Sequence, residues 1–291
     1  MKIAVLGPST KAMGYSTKRM IDEAKIAGLK PEHVPVIEVK LVVDNKLDAV
    51  YKKKSLSKFD YILPRIDSKR AQIGYRVMRF LDLLGVRKPY SAETVLIAHD
   101  KFITLERLLF SNIDVPETYL TGSKNVAKEI IKKGRLPMML KLLSGYGGQG
   151  VMVMESKEAA QSTIETMQTL KQQILIEKFL KNPGEDIRGI LAGDEIIAAY
   201  KRIAASGEVR ANIHAGGRGE AFKLTPEMEE TCFKAAKSVG ARICAVDMIE
   251  SNGRPSVLEV NINPGIQGIE KATGINVAQR IVGFVKKELR A

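Results

Sequence analysis

DMIESNGRPSVLEVNINPG, residues 247–265, has the pattern of a buried β-hairpin, with apolar residues on both sides of a turn at NGR. If this turn is centred on Gly253, Asp247 lies opposite Glu259, because both acids are equally far from the centre. Glu259 and Asn261 are two apart on one strand, so their side chains share a face. The hairpin therefore predicts two acids and one amide close together among apolar neighbours.

This group of polar side chains requires a partner. Two carboxylates that face each other repel unless a cation lies between them, and burying unpaired charge is costly. The donors are all oxygen atoms, which suits Mg²⁺ or Mn²⁺ and not zinc. A pair of solvated surface acids is the alternative, but the flanking residues are apolar. We therefore predict a metal site formed by Asp247, Glu259 and Asn261.

A second feature is a lysine inside an apolar strand. LPMMLKLL, residues 136–143, surrounds Lys141 with apolar neighbours, where an ammonium group needs an anion. The next segment starts at Ser144 and is rich in glycine, at Gly145, Gly147, Gly148 and Gly150. Its backbone N–H groups can approach phosphate oxygens, although a flexible hairpin has a similar composition. Beside a magnesium site, such a loop indicates a nucleoside triphosphate.

Length and composition limit the other possibilities. A chain of 291 residues favours two or three subdomains that share a cleft. The net charge of +13 attracts anions, but aromatic residues are not interleaved with the basic ones, so nucleic-acid binding is not favoured. Cys232 and Cys244 form no metal or disulfide pattern. No apolar run could span a membrane and no signal peptide is evident, so we expect a cytoplasmic protein.

The first 95 residues have an open α/β pattern. Apolar runs predict strands, and 3.6-residue periodicity predicts helices. The expected strands are 2–7, 34–39 and 59–66, and the expected helices are 16–29 and 74–86. From Ser91 onward the pattern changes to helices and antiparallel strands, including a strand pair that turns at AGDE, residues 192–195.

Five motifs occur in the same order as the motifs of a known family. They are HDKFITLERL, PMMLKLLSGYGGQGVMV, ILIEKFLKNPGEDIRGILAGDEIIAAYKR, EVRANIHAGG and VDMIESNGRPSVLEVNINPGIQGIEKATGINVA. They are similar to ATP-grasp ligases, and most of all to the RimK family of α-L-glutamate ligases. The resemblance covers the chain from Asp100 almost to its last residue. Over residues 1–98 it depends on the segments LPRID and YRVMRFLDLLGV.

The resemblance implies an ATP-grasp fold of the α/β (α+β) class. Residues 1–98 would form an open α/β pre-ATP-grasp domain, and residues 99–183 a small subdomain carrying the glycine-rich loop. Residues 184–291 would form the C-terminal subdomain with the metal site. Relatives are often oligomers, so a homodimer or homotetramer is expected by analogy.

The resemblance also implies how ATP is bound. Lys101, Lys141 and the loop that starts at Ser144 would contact phosphates, and Asp186 would bind the ribose hydroxyls. The segment EKFL would lie beside adenine, with hydrogen bonds from Glu177 and from the backbone of Lys178; it also contains Phe179 and Leu180. One departure is GYGGQG in place of a GTQGIG-like form, which changes the residues that pack over ATP.

The resemblance assigns the reaction site as well. Arg202 would neutralise the transferring phosphoryl group, and Arg210 and Asn212 would line the phosphates. The metal residues of the hairpin fall on the metal ligands of the family.

Three further residues are substrate candidates. Arg65 in LPRID lies at the end of a strand, where α/β proteins bind ligands. Arg188 could bind a substrate carboxylate or pair with a nearby acid, and both readings stay open. His214 lies in the Asn212 loop, whereas His33 and His99 have no expected role beyond hydrogen bonding.

The implied activity is an ATP-dependent carboxylate–amine ligase that adds L-glutamate to an acceptor through an acylphosphate. Family acceptors include a protein C-terminus, a glutamate chain or a coenzyme such as tetrahydromethanopterin, so the acceptor is an anionic small molecule or an acidic peptide tail. The alternatives are a LysX-type ligase that uses a carrier protein, a non-catalytic nucleotide sensor and a ribosome-docking protein. An intact metal set favours the ligase.

Overall fold

In a computed structural model of the chain, the structure describes residues 1–143, 150–180, 184–205, 217–251 and 253–291. Within these ranges, no helix has both the length and the apolar character that a membrane crossing requires.

The N-terminal part contains two small sheets. Their strands are β1 (Lys2–Gly7), β2 (Lys30–Pro35), β3 (Lys40–Val43), β4 (Leu47–Tyr51), β5 (Lys54–Ser55) and β6 (Tyr61–Pro64). The first sheet is parallel, in the order β2-β1-β6, and the second is antiparallel, in the order β3-β4-β5. Because parallel strands share a direction, the carboxyl ends of β1, β2 and β6 meet at one edge, where α/β proteins bind ligands.

Two sequence expectations for this part differ from the structure. The strand expected at 34–39 is β2, which ends at Pro35 and is followed by a 3₁₀ turn at Val36–Glu38. Its two prolines are tolerated because β2 lies at the edge of the sheet. The sequence analysis did not predict the antiparallel sheet, because its strands are short and carry several charged residues.

The helices of this part are α1 (Tyr15–Ile26), α2 (Ala71–Leu83), α3 (Ala92–His99) and α4 (Lys101–Phe110). Asp100 separates the last two, because its carboxylate accepts hydrogen bonds from the backbone N–H groups of Phe102 and Ile103, at 2.9 and 3.0 Å. This N-cap begins α4 and fixes Lys101 in its first turn.

The middle part is a small sheet with its own core. Its strands are β7 (Thr118–Thr121), β8 (Met138–Lys141), β9 (Val151–Met154) and β10 (Ile174–Lys178), and its helices are α5 (Lys124–Lys133) and α6 (Lys157–Thr169). The strand order is β7-β10-β8-β9 and all the pairings are antiparallel. Leu140, Ile164 and Ile176 are fully buried in a hydrophobic cluster whose members all come from this part.

The C-terminal part is an antiparallel sheet in the order β13-β12-β11-β14-β15. The elements are β11 (Glu185–Ala192), β12 (Glu195–Ile203), β13 (Arg218–Ala221), α7 (Pro226–Ser238), β14 (Ile243–Ser251), β15 (Arg254–Asn261), α8 (Gln267–Thr273) and α9 (Val277–Arg290). The expected strand pair around AGDE is therefore confirmed. Ile3 and Met20 share a buried cluster with Ile281 and Val282, so the N-terminal sheet packs against this part.

Candidate functional site

The late hairpin pairs Asp247 directly with Glu259, as the sequence predicts. The turn is shorter than expected, because Arg254 pairs with Ser251 instead of lying in the turn. The register shifts between Asp247 and Met248, which leaves Leu258 as an extra residue on β15. This bulge restores the pairing of the two acids.

Asp247 is bound by two guanidinium groups of the neighbouring strands. Arg188 on β11 donates from Nε and Nη2 to the two carboxylate oxygens of Asp247, both at 2.5 Å. Arg202 on β12 donates from Nη2 to the same carboxylate, at 2.7 Å. The Asp247 side chain is only 3% exposed, so these are buried, charge-assisted contacts. Of the two readings for Arg188, the structure shows the pairing with a nearby acid.

Arg202 also connects Asp247 to Asp186. Its Nε and Nη2 donate to the two oxygens of Asp186, at 2.5 and 2.7 Å. The Arg202 and Asp186 side chains are 12% and 13% exposed. Asp186 and Asp247, the expected ribose and metal ligands, therefore share one arginine.

The two aspartates have opposite pKa shifts. Burial alone would raise the pKa of Asp247, but the Arg188 and Arg202 guanidinium groups hold it well below its ordinary value. Burial raises the pKa of Asp186 to about 6; Arg202 opposes this shift and the Asp247 charge adds to it. At neutral pH, Asp247 is therefore the firmly ionised member of the network.

Glu259 is the more open of the two facing acids, with 44% of its side chain exposed. Burial of its carboxyl group and the nearby Asp247 carboxylate raise the pKa of Glu259. Its Oε1 lies 3.7 Å from Nη2 of Arg188, so it is less tightly paired than Asp247. Glu259 is therefore a partly exposed acid beside a buried one.

The donor set fits a hard divalent cation. Two carboxylates and the amide oxygen of Asn261 are the oxygen ligands that Mg²⁺ or Mn²⁺ accepts. The Asn261 amide oxygen also accepts a hydrogen bond from the Asn263 backbone N–H at 2.9 Å, which orients it. Among the residues that the structure describes, no group of three or more His, Cys, Asp or Glu side chains could hold a metal ion, and the hairpin itself offers two acids and one amide.

Lys141 meets its anion inside the protein. Its Nζ lies 2.5 Å from Oε1 of Glu177, on the adjacent strand β10. The two side chains are 12% and 3% exposed, and Oε2 of Glu177 is buried without a hydrogen-bond partner. The sequence analysis placed Lys141 beside phosphate and Glu177 beside adenine, and the structure places the two against each other.

Two other phosphate candidates, Lys101 and Gly150, lie within the described residues. Lys101 donates from Nζ to the backbone oxygen of Leu143, at 3.2 Å, just before the glycine-rich loop. Gly150 closes that loop, because its carbonyl accepts a hydrogen bond from Leu142 N–H at 2.8 Å. Seven predicted residues lie outside the described residues: Ser144, Gly145, Gly147, Gly148, Arg210, Asn212 and His214.

Gly150 is required by its conformation and by its surroundings. It has φ of +78°, and a Cβ added there would lie 2.8 Å from the Leu142 side chain. We expect Gly150→Ala to lower the free energy of unfolding by about 2 kcal/mol or more, from backbone strain plus overpacking. Gly85→Ala is a matched control, because Gly85 has φ of +65° but open space around it. Urea unfolding measures the free energy of unfolding of both variants. If both lose the same amount of stability, crowding by Leu142 does not contribute at Gly150.

The expected adenine hinge follows β10. Lys178 donates its backbone N–H to the Glu117 carbonyl, at 2.8 Å, so the linker before β7 is fixed to the hinge. Phe179 and Leu180 are half-buried. Lys178 and Leu180 line a cavity of about 500 Å³ together with the linker and the turn of the late hairpin. The sequence analysis missed this linker, which has no motif and reaches the hinge only in the folded chain.

Arg65 follows β6 and is 5% exposed. Its Nη2 donates to the Pro264 carbonyl at 2.9 Å, in the segment that follows β15. This hydrogen bond connects the end of the N-terminal parallel sheet to the end of the late hairpin.

Comparisons with known proteins agree with this architecture. Residues 98–285 match the RimK-like ATP-grasp domain, and residues 1–95 match the RimK PreATP-grasp domain. The fold and the arrangement of the site define an ATP-grasp ligase. The chain belongs to the RimK family, as the sequence motifs predicted.

Relatives and solved structures are similar over nearly the whole chain. A "Probable alpha-L-glutamate ligase" of Nitrosococcus oceani is 37% identical over 290 residues, covering 99% of this chain and 96% of the relative. One of Thioalkalivibrio sulfidiphilus is 35% identical over 293 residues, covering 100% and 97%. The D-alanine–D-alanine ligase of Bacillus anthracis complexed with ATP has a TM-score of 0.71 at 20% identity, covering 100% and 98%. The ATP-grasp ligase PsnB, complexed with a minimal precursor, has a TM-score of 0.77 at 16% identity, covering 98% of each chain.

Proposed function

We propose that this ligase uses ATP and Mg²⁺, or Mn²⁺, to join L-glutamate to an acceptor carboxylate, releasing ADP and phosphate. The observation that carries the proposal is the facing pair Asp247 and Glu259, held beside Arg202 and Asp186 in one network. The similarity to α-L-glutamate ligases supports glutamate as the amino acid. Activation of a carboxylate by ATP gives an acylphosphate, from which an amine displaces phosphate.

The basic residues of the cleft have the charge that this reaction needs. Lys101 and Lys141 would bind the phosphates of ATP, and Arg202 would offset charge on the transferring phosphoryl group. Asp186 would accept the ribose hydroxyls. Lys141 and Arg202 are paired with carboxylates of the protein in this structure. To bind ATP, each would have to replace a carboxylate partner with a phosphate. Arg210 and Asn212 would line the phosphates as well.

The acids of the hairpin have separate roles in this proposal. Asp247, Glu259 and Asn261 would hold the metal ion, which when bound shields the phosphate charge and orients the γ-phosphate. Arg188 keeps Asp247 ionised and fixes the orientation of its carboxylate through two hydrogen bonds. Glu259, whose side chain is the more exposed of the two acids, would complete the site.

We further propose that the acceptor is an anionic carboxylate compound, either an acidic peptide tail or a small molecule, modified in the cytoplasm. The net charge of +13 favours anionic substrates. Two solved structures with the same fold, PsnB and the macrocyclase MdnC, are complexes with precursor peptides, so this fold accommodates a peptide.

The test is a ligation assay with purified protein, ATP, Mg²⁺, L-glutamate and a panel of carboxylate acceptors. We expect ADP release that depends on both L-glutamate and one acceptor, together with a mass increase of one or more glutamyl units. Excess EDTA should abolish both signals, and added Mg²⁺ or Mn²⁺ should restore them. A protein that binds ATP but releases no ADP with any acceptor would be a sensor, and the ligase proposal would be wrong.

A further inference from the structure

Arg65 is a buried arginine that lacks an acidic partner among the described residues. It is 5% exposed, its Nη2 donates to the Pro264 carbonyl at 2.9 Å, and its Nε is buried without a hydrogen-bond partner. Burial lowers the pKa of Arg65 to about 10, so the guanidinium stays charged at neutral pH. A buried cation with one neutral partner is costly unless an anion binds it.

The two arginines of the hairpin network differ from Arg65, because both are paired with carboxylates. Arg188 and Arg202 each hold a carboxylate through two hydrogen bonds, at 2.5 to 2.7 Å. Arg65 has no such contact within the described ranges, and the nearest acid along the chain, Asp67, is paired with Arg70. The protein therefore leaves the charge of Arg65 available.

Gly7 and His33 lie beside Arg65, and His99 lies near the residue that follows it, Ile66. A Cβ added at Gly7 would lie 3.4 Å from Cβ of Arg65 and 3.8 Å from Nε2 of His33, so these three residues meet. Burial lowers the pKa of His33 and of His99, which are therefore uncharged at neutral pH. Nε2 of each ring is buried and has no hydrogen-bond partner. Neither Gly7 nor His33 therefore supplies a negative charge to Arg65.

Arg65 also lies near the proposed reaction site. It follows β6 at the edge where the carboxyl ends of β1, β2 and β6 meet. Pro264, which accepts its hydrogen bond, lies three residues beyond the proposed metal ligand Asn261. A ligand held by Arg65 would therefore lie next to the loop that leaves the metal site.

We propose that Arg65 binds a carboxylate group of a substrate and thereby forms a subsite on the N-terminal side of the cleft. The inference rests on the proposed ligase function for the identity of that substrate. The carboxylate belongs either to the incoming L-glutamate or to the acceptor; both offer the planar group that matches a guanidinium. Arg65 acts by binding and orienting the substrate, so its loss changes KM.

The experiment compares Arg65→Gln and Arg65→Lys with the wild-type protein. Calorimetric titration with L-glutamate and with a tetraglutamate peptide measures the affinity for each carboxylate source, and ADP release gives KM for both and for ATP. Arg280→Gln is the control for removing an arginine charge and a hydrogen bond to a backbone carbonyl, because Arg280 is exposed on helix α9 and donates to the Ile197 carbonyl at 2.9 Å.

We expect Arg65→Gln to weaken one of the two ligands by about tenfold or more, with the KM for ATP changed less than about twofold. The ligand that weakens identifies the source of the carboxylate. Arg65→Lys keeps the charge but not the planar guanidinium group. Its affinity for that ligand should therefore lie between those of the wild-type protein and Arg65→Gln. If Arg65→Gln does not fold, Arg65→Lys decides by the same measurement.

Unchanged affinity for both ligands in a folded variant would overturn the subsite and leave the ligase proposal standing. The reverse case is also distinguishable. If the wild-type protein binds L-glutamate through Arg65 but releases no ADP with any acceptor, the subsite is supported and the ligase proposal is wrong.

Discussion

Asp247→Asn is expected to reduce ligation at saturating ATP by about 100-fold or more, because one preorganised charge at the phosphoryl-transfer site is lost. It is also expected to lower the free energy of unfolding by about 3 kcal/mol, since Arg188 and Arg202 then lose a buried anion. Steady-state ADP release and urea unfolding measure the two effects. Asp194→Asn is the matched control, because that side chain is 98% exposed.

The stability effect of Asp247→Asn should depend on pH. The pKa of Asp247 is lowered in the folded protein, so its stabilisation is present above the unfolded value of about 4 and is lost as the pH falls towards the folded value. The difference between wild type and variant should therefore shrink as the pH falls below about 4. A difference that grows as the pH falls below about 4 would contradict an ionised Asp247.

Lys141→Met is expected to raise the KM for ATP by at least about tenfold, because a phosphate ligand is removed. It should also lower the free energy of unfolding by about 3 kcal/mol, since Glu177 is left as an unpaired buried carboxylate. ADP release at varied ATP and urea unfolding separate the two effects.

A double variant distinguishes the structural role of Lys141 from its role in binding ATP. Lys141→Met combined with Glu177→Leu removes both charges, so stability should recover while the KM for ATP stays high, because the phosphate contact of Lys141 and the expected adenine contact of Glu177 are both lost. Lys287→Met is the control, because its pair with Glu195 is 73% and 63% exposed and its loss should change stability little. Recovery of ATP affinity in the double variant would show that Lys141 does not contact phosphate.

Local patterns were sufficient for much of the fold. The alternation in β14 and β15 predicted the pairing of Asp247 with Glu259, and the turn at AGDE predicted the pairing of β11 with β12. Both rest on neighbours in sequence, because a hairpin joins adjacent strands through a short turn. The strand expected at 34–39 was misplaced because its end is set by the edge pairing with β1, which the local sequence does not report.

The sequence by itself determined the family, the hairpin that brings two acids together, and the need of Lys141 for an anion. Only the tertiary structure decided which anions and cations meet. Arg188 reaches Asp247 across 59 residues, and Lys141 reaches Glu177 across 36 residues. Arg65 remains without a carboxylate in the described part of the chain. The physical reason is that residue type shows which groups require a partner when buried, whereas strand order and register decide which group lies within hydrogen-bond distance.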